Sequence, residues 1–80
     1  MMGLIEQGKF NGRRLYQRRV ELGLTMGQVA VLTGRTVGSV HGWERGTYQP
    51  TTKSIYQLCQ GLQVDPAYFF VSDETDNSGQ

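Results

Sequence analysis

The stretch "GLTMGQVAVLTGRTVGSVHGWERG", residues 23–46, holds two helix starts and two helix stops in close succession. Thr25 followed three residues later by Gln28 is a capping box, in which each side chain satisfies the other residue's backbone N–H. Leu24 and Val29 stand at the positions of a hydrophobic staple, which fixes the entry angle of the chain. Gly34 suits the left-handed conformation that closes a helix, so this helix is short. Thr36 then caps a second helix that ends at Gly46, with Val40, Trp43 and Glu44 on its inner face. Two short helices joined by a tight turn follow from these residues.

The same punctuation divides the flanks. In "FNGRRLYQRRVELG" Asn11 is an N-cap, Phe10 and Leu15 form a staple, and Gly23 lies beyond the end. After the loop "TYQP", Thr51 caps a helix with Ile55, Leu58, Cys59 and Leu62 on one stripe. Asp65-Pro66 starts a fifth short helix, with Asp65 as cap, Pro66 at the first position, and Val64 and Phe69 as staple. No alternating run competes, so the expected fold is all-α with about five short helices.

Eighty residues make one small domain with a modest core. A single cysteine excludes an intramolecular disulfide, and its place on the apolar stripe makes Cys59 a small core residue rather than a nucleophile. His41 is the only histidine and has no second Cys or His beside it, which argues against a metal site. No apolar run approaches a membrane span, and no charged-then-apolar leader opens the chain, so a reducing, cytoplasmic setting is expected. No cofactor is called for. Without paired carboxylates in a cleft or a base beside Cys59 or a serine, the expectation is not an enzyme.

The net charge of +1 hides an asymmetry. All eight cations precede residue 72, whereas Asp73, Glu74 and Asp76 lie in "SDETDNSGQ". The body through Val71 is therefore mildly basic, which permits binding to a polyanion without demonstrating it. Residues 1–9 are expected to form a flexible arm, 10–71 the folded domain, and 72–80 a disordered acidic tail with nothing apolar to bury.

The helix pair around Gly34 has the shape of a helix-turn-helix, and here the chain resembles the phage-repressor-like (xenobiotic-response-element type) family. The resemblance covers nearly all of residues 10–71. It rests on the ungapped order of "RRLYQRR", "GLT", Ala30, Gly34, Thr36, Val40, "WERG", Pro50, "LCQGL" and "VDPAYFF". It implies a lambda-repressor-like fold and a dimeric, sequence-specific regulator of transcription that binds double-stranded DNA, a repressor of phage or mobile-element type. It further implies that Thr25 and Met26 abut a phosphate through free backbone N–H groups. The next helix would lie in the major groove, presenting Thr36, Val37, Gly38, Ser39 and Gly42 with His41 at its flank. Arg45 and the loop through Tyr48 would meet the sugar-phosphate backbone, and two domains would pair through the last helix. "FNGRRL" and "PAYFF" also resemble a subgroup that precedes a zinc-peptidase domain, but no H-E-x-x-H motif is present.

Departures from the family pattern qualify this. Met26 replaces a usual Gln, Thr33 a common core Leu, and Val31 and Leu32 usual charged positions, while Arg35 stands where a small apolar residue is usual. Leu32 either shifts into the core or joins Val31 in an apolar contact patch. Val37, Gly38 and Gly42 bring no hydrogen-bonding side chain to the outer face. They read as tolerated drift, as close backbone approach to DNA with Val37 on a thymine methyl, or as lost base reading with a protein partner instead. The alternative function is accordingly a protein-interaction module of the same fold, or the DNA-binding part of a larger regulator.

Other residues carry open readings. Arg13, Arg14 and Arg18 serve equally as phosphate contacts or as a solvated basic face. Arg19 lies between Leu15 and Leu22 at helical spacing, so its inward stem requires an acid, and Glu44 is the natural partner. His41 is a phosphate contact or an idle exposed residue. Tyr68 and Phe70, with Tyr56, form a candidate dimer face, and Phe69 belongs to the core.

Overall fold

Asn11 begins the folded chain and also closes it. In this computed structural model, which describes residues 9–71, its side-chain oxygen accepts from Arg13 N at 3.0 Å and caps α1 (Gly12–Glu21). Its amide nitrogen donates to the Val71 carbonyl at 2.7 Å, and its backbone N–H donates to the Phe69 carbonyl at 2.7 Å. The two ends of the domain are thus tied by one residue. The expected arm lies outside the described residues apart from Lys9, and the acidic tail lies wholly outside them.

α2 (Met26–Thr33) starts on the capping box, with Gln28 N 3.0 Å from Thr25 Oγ1 and Thr25 N 2.8 Å from Gln28 Oε1. It ends at Gly34 with φ 66°. α3 (Val37–Arg45) is capped by Thr36, whose hydroxyl accepts from Ser39 N at 3.1 Å, and it ends at Gly46 with φ 81°. α4 (Thr52–Leu62) is capped by Thr51. No strand occurs among the described residues.

The fifth element corrects its expected form. Pro66–Phe70 is a 3-10 turn, and Asp65 makes no side-chain cap. Backbone bonding does the work instead, with Tyr68 N donating to the Asp65 carbonyl at 2.9 Å. Five residues pinned by a buried Phe69 leave no length for regular helix.

The core gathers Phe10, Leu15, Val29, Ala30, Val40, Trp43, Leu58, Cys59, Leu62 and Phe69. α3 packs on both α1 and α2, and α2 packs on α4. Phe10 lies 4.9 Å from Phe69 and edge-on to Phe70 at 6.2 Å, so the 3-10 turn is held against the start of α1. Thr33 keeps the place of a core apolar residue because its hydroxyl donates to the Val29 and Ala30 carbonyls at 3.1 and 3.2 Å. Leu32 does not shift inward. It stays partly exposed and covers Gly61, while Val31 is 81% exposed.

The basic run of α1 is spent largely on internal latches. Arg14 donates to the Tyr68 carbonyl at 2.8 Å and stacks 4.2 Å over the Tyr68 ring, whose hydroxyl donates back to the Arg14 carbonyl. Arg18 donates to the Leu62 carbonyl at 2.9 Å, at the C-terminus of α4 where orphan carbonyls and the helix dipole favour a cation.

Candidate nucleic-acid interface

α3 is anchored before it can present anything. Val40 and Trp43 face the core, and Glu44 turns inward beside them. The Glu44 carboxylate accepts from Arg19 through both oxygens, Nε–Oε2 at 2.6 Å and Nη2–Oε1 at 3.1 Å, in a bidentate fork. The two side chains are only 12% and 5% exposed. Arg19 Nη1 also donates to the Leu24 carbonyl at 3.0 Å, which extends the latch to the entry of α2. The hydrogen bond that Arg19 donates to Glu44 raises the Arg19 pKa above its ordinary value, against the lowering effect of burial. This pair fixes the end of α3 relative to α1 and so sets the tilt of the outer face.

That outer face carries Val37, Gly38 and His41 exposed and Ser39 half-exposed. Ser39 and Thr36 are partly committed, since the Thr36 hydroxyl serves the cap and lies 3.2 Å from the Ser39 hydroxyl. Thr25 is likewise engaged in its capping box, and Met26 is half-buried against the core.

Gly42 requires a correction. It is buried rather than open, and a Cβ there would overlap the Tyr48 ring, which lies across it. The missing side chain makes room for Tyr48 and not for a DNA backbone. The chain closes this arrangement by donating from Thr47 N and Tyr48 N to the Gly42 carbonyl at 2.9 and 3.3 Å.

Two grooves flank α3 and sort the expected residues. One, of about 440 Å³, is lined by Arg13, Tyr16, Met26, His41, Glu44 and Arg45. The other, of about 520 Å³, is lined by Arg35, Thr36, Gly38, Ser39, Trp43, Tyr48 and Gln49. Tyr16, Arg35 and Gln49 were not singled out from the sequence as interface residues. Gln49 carries no local signal, because the bond that holds its side chain is accepted from Phe10 N at 3.2 Å across the fold. A larger, shallow depression of about 750 Å³ beside Cys59, Asp65 and Tyr68 offers no comparable cationic lining. Burial, then the nearby Asp65 charge, pushes the Cys59 thiol up, which is unsuited to a nucleophile.

Tyr68 and Phe70 are both half-buried in their own domain, against Arg14 and Phe10 respectively. They do not stand out as a separate face. Of the three aromatics of the candidate dimer face, Tyr56, on α4, is the one left open, 64% exposed.

A helix pair with this geometry has counterparts. A family model described as a helix-turn-helix domain matches residues 12–68. The chain belongs to the phage-repressor-like helix-turn-helix family. This helix-turn-helix chain is 35% identical over 63 residues to the HTH-type transcriptional regulator DicA of Escherichia coli strain K12, an alignment covering 79% of this chain and 47% of that protein. It is 31% identical over 71 residues to the uncharacterized HTH-type transcriptional regulator y4aM of Sinorhizobium fredii, covering 86% and 50%. The chain therefore spans about half the length of these curated relatives.

Among solved structures, the P22 c2 repressor in complex with a synthetic operator superposes with a TM-score of 0.70 at 26% identity, covering 72% of this chain and 88% of that one. The restriction-modification controller protein C.AhdI from Aeromonas hydrophila gives 0.68 at 28% identity, covering 86% and 98%. The fold is thus the all-α repressor type. These relatives are named as regulators, repressors or controllers, and none as an enzyme.

Proposed function

We propose that this helix-turn-helix chain is a dimeric, sequence-specific double-stranded DNA-binding regulator of transcription, a repressor of phage or mobile-element type working in the cytoplasm. The observation that carries the reading is the placement of arginines in both grooves beside an open α3 face. With α3 in the major groove, Arg13 and Arg45 on one flank and Arg35 on the other lie where phosphates pass. Such contacts position the protein without reading sequence. Thr25 N and Gln28 N are used by the capping box, so a phosphate at the start of α2 would meet the Met26 and Gly27 amides. Base reading falls to Val37, Gly38 and His41, with Val37 suited to a thymine methyl. Few direct contacts imply that DNA shape supplies part of the specificity. Tyr56 is the residue best exposed for pairing two domains, with the edges of Tyr68 and Phe70 beside the 3-10 turn. The relative named with an operator, the P22 c2 repressor, supports this reading.

Exposed Val31 and Val37 favour a second reading, a protein-interaction module without useful base recognition. Titration on random duplex DNA at two salt concentrations separates the two. Binding that weakens steeply with salt reports phosphate contacts, whereas no binding at low salt rejects the DNA reading. Selection of bound sites from a random duplex pool then tests sequence specificity. Either outcome applies equally if the chain is the DNA-binding part of a larger regulator.

A further inference from the structure

We infer that Tyr48, carried by the loop after α3, takes the place of the side chain missing at Gly42 and reads a hydrogen-bonding base edge from there. This role rests on the regulator reading above, with α3 in the major groove of double-stranded DNA.

Gly38 and Gly42 are one helical turn apart and share a stripe of α3, while the exposed Val37 and His41 form the stripe beside it. A Cβ at Gly38 would meet only Thr36 Oγ1, at 3.7 Å, so the first turn of the glycine stripe is open. One turn on, a Cβ at Gly42 would overlap Cδ2 and Cε2 of Tyr48. The ring thus stands in the volume that a side chain of residue 42 would fill. Tyr48 and Gly38 line the same groove, so the ring borders the open space over Gly38. A loop residue completes the helix face.

The loop holds the ring in place from both sides. Gly46 turns the chain at φ 81°, and Thr47 N and Tyr48 N both donate to the Gly42 carbonyl. On the far side Gln49 Oε1 accepts from Phe10 N at 3.2 Å, and Pro50 is buried. Residue 48 therefore has little backbone freedom left to lose on binding. Its outer part is available: Tyr48 is 59% exposed, and among the described residues nothing bonds its hydroxyl. Tyr68 is the contrast, with its hydroxyl donated to the Arg14 carbonyl. A phenol hydroxyl both donates and accepts, so it can pair with guanine O6 or N7 or with an exocyclic amine in the major groove. Val37, on the neighbouring stripe, can do neither.

The test compares the 80-residue wild type with Tyr48→Phe and with Gly42→Gln/Tyr48→Ala. Tyr48→Phe keeps the ring over Gly42 and removes only the hydroxyl. The double variant clears the ring and grows a base-reading amide from the helix into the same volume. Each protein selects sites from a random duplex pool, and affinities are measured on the wild-type site and on random duplex. Tyr48→Phe should bind the wild-type site about two- to ten-fold more weakly and random duplex equally well, with preference lost at one base pair. The double variant should show a new preference at that same base pair. Equal weakening of Tyr48→Phe on both duplexes, with base preferences kept, makes Tyr48 a phosphate contact and overturns the inference. Unchanged sites and affinities overturn it too, leaving the ring as mere cover for Gly42. A double variant whose new preference falls at another base pair overturns the shared position, and should it fail to fold, Tyr48→Phe alone decides. A wild type that selects no site rejects the regulator reading and this role with it. A wild type that selects one leaves that reading standing whichever way the variants fall.

Discussion

Replacing Gly38, Gly42 and Gly12 by alanine, one at a time, asks the same chemical question in three different environments. A helical Gly→Ala change ordinarily stabilises by about 0.5–1 kcal/mol. At Gly38 a Cβ would meet only Thr36 Oγ1, at an ordinary 3.7 Å, so the full gain is expected. For a domain of this size that corresponds to a rise in Tm of about 2–8 °C. At Gly42 the Cβ would enter the Tyr48 ring, which must swing out. Tyr48 is 59% exposed, so its covered portion is on the order of 80 Å² and worth at most about 2 kcal/mol. Set against the helix gain, Gly42→Ala should lie between neutral and about 1 kcal/mol destabilising. At Gly12 the obstacle is the backbone of Trp43 and Glu44, which cannot move without displacing α3. A cost of about 3 kcal/mol or more is expected there, beyond the usual range of overpacking.

Thermal and denaturant melts rank the three. Tyr48→Ala supplies the control, because Gly42→Ala in that background should recover the ordinary helical gain. A Gly12→Ala protein that melts with wild type would refute the close approach of α1 to α3, and a destabilised Gly38→Ala would refute the open outer face. The DNA readout adds the functional half. Higher stability with lower affinity in Gly38→Ala means the backbone approaches DNA closely, whereas unchanged affinity means the glycine is drift.

Arg19→Met and Glu44→Gln should each cost about 3–5 kcal/mol in melts, because the survivor remains buried without its partner. The double variant should lose less than the sum, and two near-wild-type melts would sink the pairing. Arg45→Ala should weaken binding to every duplex alike and reduce the salt slope by about one contact, while Val37→Ser should relax a thymine preference at a cost of about 1–3 kcal/mol in site selection. Identical selected sites and affinities for wild type and the α3 variants would remove that helix from the groove. Cys59 titrates in the opposite sense to a buried acid that gains a partner: its folded pKa is raised, so its share of stability is complete below the unfolded thiol value of about 8.5 and is lost as pH rises through the folded one. Melts from neutral pH into this alkaline window should fall further for wild type than for Cys59→Ala, and parallel curves would contradict the raised thiol.

Local chemistry made the helix starts readable. A cap is a bond between a side chain and an amide two or three residues away, so Asn11, Thr25 with Gln28, Thr36 and Thr51 announce themselves in sequence. Gly34 and Gly46 do the same for the stops, since both sit at positive φ. The Arg19–Glu44 contact was legible for another reason, namely that an inward guanidinium has few permissible partners. Tyr48 over Gly42 was not legible, because the path of the loop after Gly46 decides it and no spacing rule encodes that path.

The arginines of α1 show the limit most clearly. In "RRLYQRR" they form a basic run that reads as polyanion contact or solvated face, yet Arg14 and Arg18 bind the carbonyls of Tyr68 and Leu62. A carbonyl has no residue identity, so a latch to one far along the chain leaves no trace in sequence. The consequence reaches function. Formal charge suggests a broadly basic body, but Arg14, Arg18 and Arg19 are all engaged within the fold. Arg13, Arg35 and Arg45 are the arginines that line the two grooves beside α3. A hydrogen bond to a carbonyl leaves the charge of Arg14 and Arg18 in place but fixes their side chains, whereas arginines stand on both flanks of α3. On the proposed reading, that placement would steer a duplex onto α3, where the residues at Val37 and Gly38 would meet it.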